Sequence, residues 1–327
     1  MSGTIADFDV LMPIEGIGNV GGGIEKGMRL HRLWLQPDPQ AALTALAPRI
    51  KAIAATSHMA VVDAALMSRL PHLQIVASFG VGYDHVDAKW AAAHGIVVTH
   101  TPGVLDEEVA DIAFGLMIAT VRQLPRAERY LREGRWLQAH FPLSPSLRDR
   151  TIGILGLGRI GKVIARRAVA FGLDVVYHGR QPQQGAPYLY YPTLKGMARA
   201  CDILVVVAPG GAATKNIVNR EILAALGPDG VLINISRGSL VDEEALIEAL
   251  QQRKILAAGL DVFADEPNVP PALLALDNAV LLPHVGSASR RTRQAMADLV
   301  VANLYSWIDG KGPLTPVPET PWKAVKT

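Results

Sequence analysis

The chain has very little cysteine. Cys201 is the single one among 327 residues, which rules out an intrachain disulfide and argues against a cysteine-built metal site. It has little excess of either charge: Lys plus Arg number 32 and Asp plus Glu number 30, a formal net charge of +2. That balance removes the electrostatic footprint of a nucleic-acid or anionic-membrane binder. No uninterrupted apolar run reaches transmembrane length. Met1 to Asp7 lacks the basic region and apolar stretch of a secretory signal. No internal repeat, low-complexity tract or charge block stands out. These absences predict a cytoplasmic protein with no metal, no membrane and no nucleic acid among its partners.

What is present is apolar residue in quantity, 50% of the chain, enough for sizeable cores. A chain this long suits two domains. In the first region, short apolar strands (Phe8–Met12, Ala52–Ala55, Gln74–Ser78, Ile96–Thr99) alternate with helical segments such as Asp38–Leu46 and Val62–Leu70. That alternation implies a parallel sheet. Leu105 to Arg132 reads as one long helix, with Asp106, Glu107 and Glu108 in its opening turn. The irregular stretch Glu133 to Leu143 follows, carrying Trp136 and Phe141. It is either a surface loop tucked on its own domain or an arm packed on another subunit, where aromatic anchors are enriched.

The second region opens on the most informative segment, Thr151-Ile152-Gly153-Ile154-Leu155-Gly156-Leu157-Gly158-Arg159-Ile160-Gly161. A buried strand breaks into Gly-x-Gly-x-x-Gly, and a helical segment follows from Arg159 to Phe171. Gly156 allows the tight turn, Gly158 lets backbone N–H groups approach a pyrophosphate, and Gly161 lets helix and strand pack closely. The helix N-terminus adds partial positive charge. Strands at Ile203–Ala208, Val231–Ile235, Ala257–Asp261 and Ala279–Leu282 continue the doubly wound pattern. Thr292 to Asp309 is one more amphipathic helix, with the option of returning to the first domain.

About 20 residues beyond the glycines, an NAD enzyme carries an acid at the end of the second strand for the ribose 2′-hydroxyl. Here that strand is Leu173 to Tyr177, and Asp174 stands at its wrong end. His178, Arg180 and Gln181 follow it instead. A guanidinium there suits a 2′-phosphate, so NADP(H) is preferred, with NAD(H) as the alternative.

Three polar residues fall at or after strand ends, where open α/β sheets place ligands. They are Arg237 after Ile233-Asn234-Ile235-Ser236, Glu266 after Gly259 to Asp265, and His284 after Leu281-Leu282-Pro283. Reduction of a ketone needs a proton donor and a positive charge beside the carbonyl. His284 can donate the proton, Glu266 can orient the imidazole and favour its charged form, and Arg237 can fork onto an α-keto carboxylate.

With those residues in place, the sequence resembles the D-isomer-specific 2-hydroxyacid dehydrogenase family, and within it the NADP-preferring glyoxylate/hydroxypyruvate reductase branch. The resemblance rests on Ser78 to Asp84, Thr101 to Leu105, the glycine fingerprint, Ser236 to Asp242, Gly259 to Phe263 with Glu266-Pro267, and Pro283 to Ser287. It implies an α/β fold of two doubly wound parallel-sheet domains, Rossmann-like and flavodoxin-like, with an active-site cleft between them. Residues 1–99 with 288–327 would form a discontinuous substrate-binding domain, and residues 100–287 the dinucleotide-binding domain. It implies Arg237, Glu266 and His284 as the catalytic trio. It further implies substrate-carboxylate binding by the N–H groups of Val81 and Gly82, and Asp261 on the nicotinamide carboxamide. Ala208, Pro209 and Ser236 would line the cofactor groove. Leu155, Gly156, Gly158, Arg159, Ile160, Gly161, His178, Arg180, Gln181, Thr214, Ile235 and Gly286 complete the expected cofactor contacts. The resemblance also implies a homodimer held by the region around Leu116 to Leu143, with Trp136 reaching the partner's active site.

The loop Ala54 to Met59 departs from the glycine- or asparagine-rich pattern of the best-known glyoxylate or hydroxyphenylpyruvate reductases. It should face the substrate's side chain through His58 and Met59. The resemblance implies NADPH-dependent reduction of a small 2-keto acid of the glyoxylate or hydroxypyruvate type to the D-2-hydroxy acid, with a bulkier 2-keto acid, hydroxyphenylpyruvate or 2-ketogluconate, as the alternative, since all four present the same ketone and carboxylate. A dinucleotide-sensing regulator on the same fold is the other class of function. The retained Arg, Glu and His favour the enzyme, and a formate-oxidising relative would carry Gln where Glu266 stands.

Overall fold

The apolar runs of the sequence become the strands of two parallel sheets in the computed structural model, which describes residues 7–16, 18–56 and 59–322. The chain divides into two compact units, one holding the sequence up to Leu105 together with everything from Ser289 onward, the other Asp106–Ala288. The unit boundaries thus fall just before the helix at Asp106 and just before the helix that Ser289 caps.

The first unit is built on β1 (Asp9–Met12), β2 (Arg29–Arg32), β3 (Ile50–Ala55), β4 (Ile75–Ser78) and β5 (Val97–Thr99), in the spatial order β2-β1-β3-β4-β5. That order reverses beside β1, the topological switch point of a doubly wound sheet, and ligands of such sheets gather beyond the strand C-termini. β1 and β4 are buried at every position, the signature of strands covered on both faces. Helices α1 (Val20–Ile24), α2 (Pro39–Leu46), α3 (Ala64–Ser68), α4 (Ala88–Ala93) and the long α12 (Arg290–Ile308) belong to this unit. Asp38, Asp63, Asp87 and Ser289 each accept a backbone N–H with the side chain at a helix start, which fixes where α2, α3, α4 and α12 begin. Leu11, Ile53, Val76 and Val98 form the centre of its core.

The second unit carries α5 (Asp106–Val121), α6 (Leu124–Arg132), β6 (Thr151–Leu155), α7 (Arg159–Ala170), β7 (Asp174–His178), β8 (Leu189–Tyr190), α8 (Leu194–Ala200), β9 (Ile203–Val206), α9 (Arg220–Leu226), β10 (Val231–Asn234), α10 (Glu243–Gln251), β11 (Ala257–Leu260), α11 (Pro271–Leu274) and β12 (Ala279–Leu281). The strands run β12-β11-β10-β9-β6-β7-β8, all parallel. Counted from β6, this is the dinucleotide-fold order with a seventh strand at one edge.

Several expectations need correction. The single helix from Leu105 to Arg132 is two helices, because Gln123 takes a left-handed conformation (φ 54°) and Pro125 sits in the first turn of α6. A proline there has no N–H to bond back, and its ring would clash with the preceding turn. The strands expected to end at Ala208, Ile235, Asp261 and Leu282 end one or two residues earlier. The helix expected over Val62–Leu70 is the shorter α3, capped by Asp63. The strand β2, Arg-Leu-His-Arg, lacks the apolar character of its neighbours and was not expected. Among the described residues, no helix is long and apolar enough to cross a membrane.

Candidate active site

The glycine turn lies between β6 and α7. Gly156 has φ +102°, and a Cβ on it would come 2.7 Å from the Ala208 Cα, so both conformation and space demand glycine. A Cβ on Gly161 would come 2.3 Å from the Gly156 carbonyl oxygen, which confirms the close helix–strand packing. Gly158 differs. A Cβ there meets open space, and its φ of −78° suits any residue. Nothing in the chain itself asks for glycine at 158. A pyrophosphate drawn up to the N–H groups of α7 would ask for it, and α7 starts on Gly158 without a side-chain cap, which leaves those N–H groups to a ligand. Leu155 and Gly161 are buried, Ile160 is half-buried, and Arg159 is exposed at the helix start. This cradle fits a dinucleotide.

The end of β7 stands beside that turn, since Gly156 N–H donates to the His178 carbonyl at 2.9 Å. Asp174 is at the opposite end of the strand, and exposed. His178 Nδ1 lies 2.8 Å from the Tyr191 carbonyl oxygen, so the ring is committed to its own unit. Arg180 and Gln181 are exposed. Among the described residues Arg180 has no carboxylate partner, so its guanidinium is available to an anion.

Along the next strands, buried Ala208 and exposed Pro209 follow β9, and buried Ile235 and half-buried Ser236 follow β10. Ser236 Oγ donates to the Ala208 carbonyl, which ties the two loops together. Thr214 closes its own turn by donating to the Pro209 carbonyl at 2.8 Å.

The three polar residues singled out for chemistry sit on loops after β10, β11 and β12. His284 Nδ1 is 2.7 Å from Glu266 Oε2. Glu266 Oε1 accepts the Phe263 N–H at 3.0 Å, so one oxygen of the carboxylate is fixed by backbone and the other by the imidazole. Both side chains are mostly shielded from solvent. His284 has φ +51°, an uncommon conformation for a residue with a Cβ. Asp261 holds it there. The Asp261 carbonyl accepts His284 N–H at 2.9 Å, and its two carboxylate oxygens accept Val285 N–H and Gly286 N–H, both at 2.7 Å. Burial pushes the Asp261 carboxyl up from its ordinary value, while those two N–H groups and the His284 charge pull the other way. Gly286 is glycine because a Cβ would sit 2.9 Å from Asp261 Oδ2.

Arg237 is half-buried at the turn after β10 and bonds the Ser236 carbonyl through Nη1 at 2.9 Å. A residue not foreseen, Asn234, shapes that turn. Its Nδ2 donates to the Arg237 carbonyl at 2.9 Å, and its Oδ1 accepts Ser236 N–H at 3.1 Å. The visible signal was a buried amide closing an otherwise apolar strand. Phe263 was also missed, since it acts through its backbone N–H.

The expected substrate contacts belong to the first unit. Val81 and Gly82 are half-buried in the loop after β4. Met59 is exposed, and His58 lies outside the described residues. In the second unit Trp136 is 63% exposed on a single helical turn, Arg135–Leu137. Phe141 instead packs edge-on against Tyr130 at 5.4 Å.

A second Gly-x-Gly-x-x-Gly, at Gly16, Gly18 and Gly21, follows β1. Packing accounts for it. A Cβ on Gly16 would lie 2.7 Å from Thr56 Oγ1, one on Gly21 would lie 3.1 Å from the Arg32 guanidinium, and α1 has only five residues.

Known proteins resemble this chain over most of its length. Residues 114–286 match the family model described as "D-isomer specific 2-hydroxyacid dehydrogenase, NAD binding domain". The chain is 47% identical over 294 residues to glyoxylate/hydroxypyruvate reductase A of Arabidopsis thaliana, covering 90% of this chain and 94% of that protein. It is 45% identical, with the same coverage, to hydroxyphenylpyruvate reductase of Plectranthus scutellarioides. The crystal structure of an NADPH-dependent glyoxylate/hydroxypyruvate reductase from Sinorhizobium meliloti, in complex with NADP and malonate, superimposes with a TM-score of 0.88 at 48% identity. That match covers 98% of this chain and 100% of the other.

Proposed function

The chain belongs to the D-isomer specific 2-hydroxyacid dehydrogenase family, and from that premise we propose that it reduces a small 2-keto acid of the glyoxylate or hydroxypyruvate type to the D-2-hydroxy acid with NADPH. The observation that carries this reading is the 2.7 Å pair between Glu266 and His284, on a backbone that Asp261 clamps. A carboxylate on Nδ1 fixes the imidazole and leaves Nε2 as the nitrogen that hands its proton to a carbonyl oxygen. Arg237 polarises that carbonyl and takes an oxygen of the neighbouring carboxylate. The N–H groups of Val81 and Gly82 take the carboxylate as well.

When bound, the reduced nicotinamide supplies the hydride. Gly156, Gly158, Arg159, Ile160 and Gly161 would receive the pyrophosphate, with Leu155, Ala208, Pro209, Thr214, Ile235, Ser236, Asp261 and Gly286 lining the rest of the groove. Arg180, helped by Gln181 or by the Nε2 of His178, would hold the 2′-phosphate. The absence of an acid at the end of β7 supports NADPH over NADH, and so does the printed name of the Sinorhizobium relative.

The region from Leu116 to Leu143 is proposed to hold a homodimer, with Trp136 completing the active site of the other subunit. The support is an arm that exposes Trp136, Leu137 (93%) and Leu143 (99%) to solvent. A reducing cytoplasm suits the buried free Cys201.

The test is a panel. Glyoxylate, hydroxypyruvate, hydroxyphenylpyruvate and 2-ketogluconate are each mixed with protein and NADPH, and the absorbance of the reduced cofactor is followed. Turnover is expected with all small 2-keto acids and fastest with the first two. No oxidation of NADPH with any of them overturns the proposal. Sedimentation of the wild type and of Trp136→Ala, alongside their turnover, tests the dimer and its shared residue.

A further inference from the structure

The loop after β4 presents two successive N–H groups, those of Val81 and Gly82, and each of the two peptide units that carry them is held from its carbonyl side. Thr101 N–H donates to the Gly80 carbonyl at 2.8 Å, and Thr101 Oγ1 accepts Gly80 N–H at 3.0 Å. His100 Nδ1 lies 2.9 Å from the Val81 carbonyl oxygen. A carbonyl oxygen only accepts, so Nδ1 carries the proton in this contact. A trans peptide is planar, and its C=O and N–H point in opposite directions. Holding the Gly80 oxygen therefore aims the Val81 N–H, and holding the Val81 oxygen aims the Gly82 N–H. Among the described residues neither N–H donates to another group.

His100 is itself fixed. Its N–H donates to the Thr315 carbonyl at 3.1 Å, and its own carbonyl accepts Thr315 Oγ1 at 2.5 Å. The buried Asn303 of α12 bonds Thr315 from the other side, accepting its N–H at 3.0 Å and donating to its Oγ1 at 2.9 Å. The His100 ring also meets Tyr83 edge-on, with centroids 5.5 Å apart. Gly80 completes the turn at φ +143°, a conformation that L side chains rarely adopt.

We infer that His100 and Thr101 are positioning residues that preset a two-donor cradle at Val81 and Gly82 for the carboxylate of the keto acid. This rests on the reading of those N–H groups given under the proposed function. The clamp acts through peptide planes, and neither side chain needs to touch substrate. Its effect falls on carboxylate affinity and leaves proton donation by His284 and cofactor binding alone.

The experiment uses the full-length protein with NADPH, glyoxylate, and oxalate as a carboxylate probe. His100→Leu keeps the bulk and removes the donor. His100→Asn keeps an N–H donor at about the place of Nδ1. His100→Leu should raise both the KM for glyoxylate and the inhibition constant of oxalate about tenfold, which is about 1.4 kcal/mol. Its kcat should stay within about threefold and its NADPH dissociation constant should be unchanged. His100→Asn should return KM and oxalate affinity to within about twofold of wild type. If His100→Leu does not fold, His100→Gln decides, since its donor is one methylene out of place and oxalate affinity should fall. Wild-type oxalate affinity in the donor-less or displaced variant overturns the clamp. Parallel losses in kcat, KM and NADPH affinity that His100→Asn does not restore overturn it too. Failure of the wild type to bind oxalate against glyoxylate overturns the underlying reading of Val81 and Gly82 instead.

Discussion

A Cβ placed on Gly238 would lie 1.9 Å from the carbonyl carbon of Phe263, so the turn after Arg237 and the loop that leads to Glu266 are in backbone contact. Arg237 precedes that glycine directly, and Phe263 N–H holds Glu266 Oε1. The spacing of two of the three proposed catalytic groups is thus set where glycine alone fits.

Gly238→Ala must push the two loops apart, because the clash is with backbone that no rotamer change relieves. Overpacking of this kind costs about 1–3 kcal/mol of stability. Displacing a catalytic group by about 1 Å can cost around 100-fold in rate. The expected outcome is a folded protein with a lowered Tm and a kcat/KM on glyoxylate reduced about 100-fold. Normal turnover in a protein with a lowered Tm would separate the packing from the chemistry.

The Glu266–His284 pair predicts a loss of turnover with a definite origin. Glu266 Oε2 holds the imidazole through Nδ1 at 2.7 Å, which leaves Nε2 to donate the proton. Glu266→Gln replaces a charge-assisted bond, about 1.5–3 kcal/mol, by a neutral one of about 0.5–1.5 kcal/mol. The kcat on glyoxylate should fall about tenfold, with KM and NADPH affinity within about twofold of wild type. Steady-state kinetics and cofactor titration of both proteins check this. An unchanged kcat would remove Glu266 from the role.

Those residues were readable because their requirements are local. The Gly156 turn, the helix at Arg159 and the polar residues after three strands all lie within a few positions of an apolar run. Other features depend on partners far along the chain. His100 stands outside every motif, and Thr101 opens one that does not reveal what it bonds, since each serves a carbonyl about 20 residues earlier. Asn234 reads as a polar interruption until its two bonds to the Ser236–Arg237 turn are seen. The strand β2 carries no apolar alternation because Arg29 and His31 turn to Asp9 on β1. Spacing also misleads: Gly16, Gly18 and Gly21 repeat the fingerprint where internal packing, and no long helix, accounts for them.

Cofactor choice should turn on Arg180. It is exposed after β7 with no carboxylate partner among the described residues, and His178 is already bonded to Tyr191. Arg180 thus gives up no ion pair in meeting a 2′-phosphate. Hydrogen bonds to a charged group contribute about 1.5–3 kcal/mol. Arg180→Ala should then weaken NADPH by about 10- to 150-fold and leave NADH nearly unchanged. Fluorescence titration of both cofactors against both proteins measures it. A wild type that already prefers NADH would contradict the assignment.

Acid stability should depend on Asp9, which is buried at the start of β1. Burial works against its charge, but hydrogen bonds from His31 and Arg29 and the nearby Arg49 charge outweigh it and hold the carboxyl below its ordinary value. The contacts are short: 2.6 Å to His31 Nε2, 3.1 Å to Arg29 Nη1 and 3.2 Å to Arg49 Nη2. A carboxyl whose folded value is depressed contributes stability that is fully present above its unfolded value, about 4, and is lost as pH falls through the folded one. Asp9→Asn keeps the shape and removes the charge. Arg29 and Arg49 remain partly solvated, 43% and 50% exposed, so neither is left as a buried lone charge. The loss at pH 7 is therefore about 2 kcal/mol, at the level of a charged hydrogen bond. Thermal unfolding of both proteins between pH 3 and pH 8 should show a gap in Tm that is constant above about pH 5 and narrows below about pH 4. A gap that persists undiminished at pH 3 would mean that Asn disturbs packing at the start of β1 and that the charge of Asp9 adds nothing.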